Sequence, residues 1–228
     1  MADSARAPAG PVEIVEGSAR LPGGLSVPPT PGGLVIFAHG SGSGRLSPRN
    51  RFVAGVLNQA GLGTLLLDLL TPQEAESYPT RFDIALLSRR LAAAVRATEG
   101  WPACRGLRIG LFGASTGAAA ALEVAASLGD RIAAVVSRGG RPDLAARVFP
   151  LVRSPTLLIV GGEDHAVLEL NRGALAALGA RARLEVVPGA THLFEEPGTL
   201  EEAARLARDW FVRHLRGASA GGGSGPEE

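Results

Sequence analysis

The sequence predicts an α/β fold, a mostly parallel sheet flanked by helices on both faces, and three observations predict it. Short apolar runs alternate with longer helical patterns along the whole chain, as repeated strand–helix–strand units require. At 228 residues and 46% hydrophobic composition, the chain is long enough to bury one such sheet in a single domain. Residues 108–125, RIGLFGASTGAAAALEVA, pass from a strand pattern through a tight Gly-Ser-Gly turn into an Ala-rich helix pattern.

In chain order, apolar runs mark strands at 12–15, 34–38, 64–67, 107–112, 132–136, 156–160 and 184–187, with a further one near 19–27. Helical periodicity fills 48–60, 82–98, 116–128, 167–178 and 200–215, and a short helix is expected at 142–148. The stretch 21–33 is dense in Pro and Gly and reads as a hairpin or loop ahead of the first central strand. The domain is expected to span 11–216, between a flexible start at 1–10 and a disordered tail at 217–228. That tail, GASAGGGSGPEE, holds too little apolar surface to offset its ordering entropy. About 20 residues separate the strands near 136 and 156, so no lid domain fits there and an open site for small substrates is expected.

Composition excludes several chemistries. The net charge is +1 and charges are interspersed, so no basic stripe suggests nucleic acid. All 23 basic residues are Arg, which removes a Walker-type phosphate lysine, a Schiff-base lysine and a Ser-Lys dyad. Cys104 is the single cysteine, so neither an intramolecular disulfide nor a cysteine-built metal site can form. No run of 18 apolar residues occurs, and the opening MADSARAPAG lacks an apolar leader segment. A soluble cytoplasmic protein without membrane or nucleic-acid partners is expected, and its oligomeric state is not readable from sequence.

Functional groups of an open α/β sheet gather in loops at the carboxyl ends of its strands. Four such loops carry chemistry: His39-Gly40-Ser41-Gly42-Ser43-Gly44, the G-x-S-x-G around Ser115, Gly161-Gly162-Glu163-Asp164, and Pro188-Gly189-Ala190-Thr191-His192. The pentapeptide alone is a weak signal in a chain with 31 Gly. Its strand-to-helix context, and the order Ser, Asp, His along the chain, make it specific. Ser115 is the candidate nucleophile, His192 the base that takes its proton, and Asp164 the carboxylate that orients His192, with Glu163 competing for that role. The backbone N–H groups of Thr116 and Ser41 are the candidate donors to a tetrahedral oxyanion.

With HGSGSG, GASTG, GGED and GATH together, residues 11–216 resemble the α/β-hydrolase superfamily, and most closely its lidless dienelactone-hydrolase-like branch. The resemblance implies an eight-stranded α/β-hydrolase sheet, no cofactor or metal, and hydrolysis of small esters, lactones or thioesters through an acyl-enzyme. Ser115 stands where dienelactone hydrolases proper carry a cysteine, which points away from dienelactone and toward general carboxylesterase chemistry. Similar domains sometimes accompany phosphoribosyltransferases, an activity for which this chain shows no motif.

Other readings stand beside these. Ser115 and Asp164 could each be helix caps and His192 a surface histidine. His39 is expected to support its loop by hydrogen bonds, His165 to face solvent, and His214 to be structural. Arg138 is expected in a structural salt bridge, with a substrate carboxylate as its alternative ligand. Gly40, Gly42, Gly44 and Asp68 imitate a dinucleotide fingerprint, although their spacing is G-x-G-x-G. A catalytically silent domain on the same scaffold is the rival from another functional class.

Overall fold

The structure, a computed structural model, describes residues 9–216; the expectations for 1–8 and for the tail at 217–228 fall outside these. Its elements run β1 (Ala9–Glu16), β2 (Ala19–Ser26), β3 (Leu34–Ala38), α1 (Pro48–Gln59), β4 (Gly63–Leu67), α2 (Pro72–Glu76), α3 (Tyr78–Arg81) and α4 (Ile84–Gly100). There follow β5 (Ile109–Ala114), α5 (Thr116–Leu128), β6 (Ile132–Arg138), a 3-10 segment (Pro142–Leu151), β7 (Thr156–Gly161), α6 (His165–Leu178), β8 (Ala182–Val187) and α7 (Thr199–Leu215). The eight strands form one sheet in the order β1-β2-β4-β3-β5-β6-β7-β8. Pairing is antiparallel for β1–β2 and β2–β4 and parallel from β4 to β8.

Alternation along the strands divides the core. In β3, Leu34, Ile36 and Ala38 join the cluster beneath α4, α5 and α6, while Val35 and Phe37 join the one beneath α1 and α7. Both faces are thus covered, as a parallel sheet requires. Strand order reverses between β3 and β5, whose carboxyl ends carry the loop at 39–44 and Ser115. Crevices of open α/β sheets form at such a switch point.

Three segments differ from expectation. Of the two readings that overlap at 21–27, the strand expected near 19–27 holds and the loop does not begin until after Ser26: β2 pairs with both β1 and β4 despite Pro22, Gly23 and Gly24. Ala9 and Gly10 already lie in β1, two residues before the expected domain start at 11. Helices α2 and α3 lie outside the expected set: they have five and four residues, too few for periodicity to register. Each relies on a Ser or Thr cap followed by Pro within its first turn. Between β6 and β7 lies only the 3-10 segment, so no lid is inserted there.

Candidate active site

Ser115 sits at the end of β5 with φ +49° and ψ −122°, a conformation a residue with a Cβ rarely adopts. The turn is held on both sides. Its N–H donates to Arg138 O at 3.3 Å, and its carbonyl accepts from Ala118 and Arg141 N–H, each at 3.1 Å. The flanking glycines have a steric cause. A Cβ on Gly113 would lie 2.4 Å from Ala118 Cα, and one on Gly117 would lie 2.2 Å from Ala38 O. Ser115 makes no side-chain capping bond to α5, so the cap reading does not describe its hydroxyl.

The loops after β7 and β8 are zipped backbone to backbone. Gly162 N–H donates to Val187 O at 2.9 Å and Glu163 N–H to Ala190 O at 3.0 Å. This contact brings the acid to the imidazole: His192 Nδ1–H donates to Asp164 Oδ2 at 2.6 Å. Glu163 is exposed and, among the described residues, its carboxylate reaches only His165, at 3.9 Å. Asp164 begins α6 without a side-chain capping bond, leaving its carboxylate to His192.

Residues that carry no recognisable sequence signal hold the His192 loop. The Glu196 carboxylate accepts from Thr191 N–H at 3.1 Å and Thr191 Oγ1–H at 2.7 Å, bonds that lower its pKa. Arg49 on α1 pairs with Glu195 at 3.1 Å. Phe194 takes φ +56° and buries its ring in the core under α7. Thr191 lies inside GATH, but no motif marks Phe194, Glu195 or Glu196; what could have pointed to these is only their closeness in chain to His192.

A cavity of about 270 Å³ is lined by Ser115, His192, Ser41, Asn50, Arg49 and Arg138, among others. Gly40, Ser41 and Ser43 also wall a neighbouring cleft of about 420 Å³ that reaches His39, Asp68 and Arg81. Ser41 N–H, one expected oxyanion donor, donates to the buried Thr116 Oγ1 at 3.0 Å. Thr116 N–H lies in the first turn of α5, where backbone donors have no intrahelical acceptor. His39 bridges loops: Nδ1–H donates to Gly40 O at 2.9 Å, and Nε2 accepts from Leu69 N–H at 2.9 Å. Burial lowers its pKa and favours the neutral ring. Asp68 accepts from Arg45 N–H at 2.6 Å and pairs with Arg45 Nε at 3.2 Å, so its carboxylate serves the loop.

Arg138 corrects the salt-bridge expectation. Its side chain is buried and, among the described residues, meets no carboxylate. It lies over the rings of Phe112 and Phe194 at 5.8 and 5.9 Å, and Nη2–H reaches Asn50 Oδ1 at 3.4 Å. Burial first, and Arg49 second, lower its pKa to about 10. Among the described residues no cluster of three His, Cys, Asp or Glu could hold a metal ion, and no helix is long and apolar enough to cross a membrane.

Comparison with known proteins agrees with this architecture. A dienelactone hydrolase from Anabaena variabilis ATCC 29413 superposes with a TM-score of 0.89 at 50% identity, over 92% of this chain and 100% of that one. Est1E from Butyrivibrio proteoclasticus shares the fold at 17% identity, with a TM-score of 0.78 over 90% of this chain and 98% of its own. Two Mycobacterium tuberculosis proteins, each named "Putative phosphoribosyl transferase", are 54% identical over 211 residues, 92% of this chain. The chain spans about half the length of these curated relatives, 48%. The family model for the Dienelactone hydrolase family matches residues 72–215, and with the Anabaena likeness this establishes that the chain belongs to that family.

Proposed function

We propose that the protein is a serine hydrolase that cleaves small carboxylic esters, lactones or thioesters through an acyl-enzyme. The observation that carries this reading is the 2.6 Å bond between His192 and Asp164 beside a cavity that Ser115 also lines. With Nδ1–H donated to Asp164, His192 has Nε2 free to accept a proton, and the nearby carboxylate stabilises the imidazolium that results. Ser115 Oγ attacks the carbonyl carbon as its proton passes to Nε2. The tetrahedral intermediate collapses, the bond to the leaving oxygen or sulfur breaks, and Nε2–H returns the proton to the leaving group. Water then attacks the acyl-enzyme by the same route and releases the acid, restoring Ser115.

Negative charge on the carbonyl oxygen would be met by Thr116 N–H and by Ser41 N–H, which Thr116 Oγ1 keeps aimed and which shares its proton between that hydroxyl and the oxyanion. The reading places the enzyme in the cytoplasm and gives it no cofactor. The transferase name of the curated relatives belongs to proteins about twice as long as the matched segment; in this half, the Ser115, His192 and Asp164 geometry favours hydrolysis.

Turnover of p-nitrophenyl acetate by the purified protein, with Ser115→Ala as control, tests the reading. Wild type should hydrolyse the ester, Ser115→Ala should lose nearly all turnover, and a fluorophosphonate should label Ser115. Equal rates for the two proteins, or label on another residue, count against it. A silent scaffold domain predicts no turnover by either.

A further inference from the structure

The cavity beside Ser115 carries charge of one sign. Its ionised lining groups are Arg49 and Arg138, and among the described residues no Asp or Glu lines it. Arg138 is 7% exposed, and its Nη1 has no hydrogen-bond partner among those residues, an orphaned charged donor in a buried place. A buried unpaired guanidinium is costly, and a fold keeps one where a ligand supplies the missing acceptor. No acid pairs with this guanidinium among the described residues; its neighbours include the Phe112 and Phe194 rings, over which Cζ lies at 5.8 and 5.9 Å. Asn50 Oδ1, its one side-chain acceptor among the described residues, is distant at 3.4 Å.

The amino end of α1, a 12-residue helix, opens on the same cavity through Ser47, Arg49 and Asn50. Ser47 Oγ accepts from Asn50 N–H, and Pro48 has no N–H to offer. The Arg49 amide therefore has no intrahelical acceptor, and the helix dipole adds positive potential.

We propose that this cavity is an anion subsite and that the part of the ester entering it carries a phosphate monoester. The assignment rests on the hydrolase reading above, because Ser115 lines the same cavity. Three sources of positive potential border the cavity: the Arg138 side chain, the Arg49 side chain and the first turn of α1. A carboxylate has two acceptor oxygens in one plane, whereas a phosphate monoester has three terminal oxygens on a tetrahedron and carries close to two charges. Two guanidinium groups match that charge once Arg49 exchanges Glu195 for the ligand. The Arg49–Glu195 pair lies on the exposed rim, with 33% and 63% of the two side chains accessible, so a dianion can compete with Glu195 for Arg49.

Calorimetric titration with inorganic phosphate at pH 8 tests the subsite without any turnover. The two readings therefore fail separately: an absent esterase activity leaves phosphate binding measurable, and an absent binding signal leaves the esterase reading standing. Phosphate should bind saturably and sulfate comparably, while acetate should bind at least about tenfold more weakly. Arg138→Met should weaken phosphate at least about tenfold and Arg49→Ala about threefold. Arg153→Ala is the unchanged control, since Arg153 is exposed and precedes the amino end of β7, away from the strand ends that carry the site. If Arg138→Met does not fold by circular dichroism, Arg49→Ala decides alone. A flat wild-type titration, phosphate affinity unchanged in the folded variants, or acetate binding as tightly as phosphate overturns the proposal.

Discussion

Ser41 and Thr116, 75 positions apart in the chain, are joined by a 3.0 Å bond from the amide of one to the hydroxyl of the other. The loop after β3 is thereby fixed against the residue that follows Ser115. Thr116→Val removes the acceptor and lets the amide drift, a loss of about 1–1.5 kcal/mol in positioning, or about tenfold in rate. The expected outcome is a kcat for p-nitrophenyl acetate lowered about tenfold with KM little changed, and near-full activity in Thr116→Ser. Undiminished kcat in Thr116→Val would show that the bond does no positioning.

Asp164→Asn keeps the shape of the acid and removes its charge. The amide can also present its N–H to His192 Nδ1, which leaves Nε2 protonated and unable to accept from Ser115. Under the proposed mechanism kcat falls about 10³- to 10⁴-fold with the melting temperature nearly unchanged. Steady-state kinetics beside a thermal melt check this, and a drop below about tenfold would reassign the carboxylate to a structural role.

Glu74 provides a stability prediction away from the chemistry. Buried Arg90 donates through Nη2 to its Oε1 at 2.6 Å and through Nη1 to its Oε2, while Glu74 closes the capping box of α2. Chiefly the Arg90 bonds hold its pKa at about 2, below the ordinary 4.5. A depressed carboxylate stabilises the fold above its unfolded pKa, and the contribution disappears as pH falls through the folded one. Glu74→Gln should therefore lower the melting temperature by about 4–8 °C at pH 7, for a loss of about 2 kcal/mol. The gap from wild type should shrink between pH 4.5 and 2. A gap constant over that range would assign the effect to packing.

Gly117→Ala probes the turn itself. The added methyl would meet Ala38 O at 2.2 Å and His39 O at 2.6 Å, both backbone atoms of β3 and its loop. Because neither can rotate away, a loss of at least about 3 kcal/mol is expected. Chemical denaturation should show it, as should soluble yield. Gly55→Ala, where a Cβ meets nothing within 4 Å, is the matched control and should be neutral or slightly stabilising.

The parts of the fold that are legible in sequence are those where local pattern and burial agree. Strand β3 and helix α5 occupy their expected residues because LVIFA is buried throughout and the Ala-rich run has one helical reading. At the antiparallel end the sequence supports two overlapping readings, a strand near 19–27 and a hairpin or loop at 21–33, and the strand is what forms as far as Ser26. Pro22, Gly23 and Gly24 disfavour a strand locally, and only pairing to β1 and β4 overrides them. At the site, Ser115, Asp164 and His192 stand out through turn motifs and chain order. The Ser41 amide can be named as a donor, but not its bond to Thr116, which depends on where a side chain 75 positions away points. Arg138 is legible as a residue near the site. That it lacks a carboxylate emerges only once its neighbours are seen to be Phe112, Phe194 and Asn50.

Zipping of the two final loops also sets a timetable for the molecule. Asp164 meets its imidazole only after β8, the outermost strand on its side, has docked and α7 has closed over Phe194. Chains emerge from the ribosome amino end first, so under the proposed mechanism a copy made only through β7 can present Ser115 yet lacks the imidazole that would draw off its proton. Under the proposed mechanism, reactivity is thereby deferred until the chain has been made through α7, and a copy truncated before β8 would be chemically dormant.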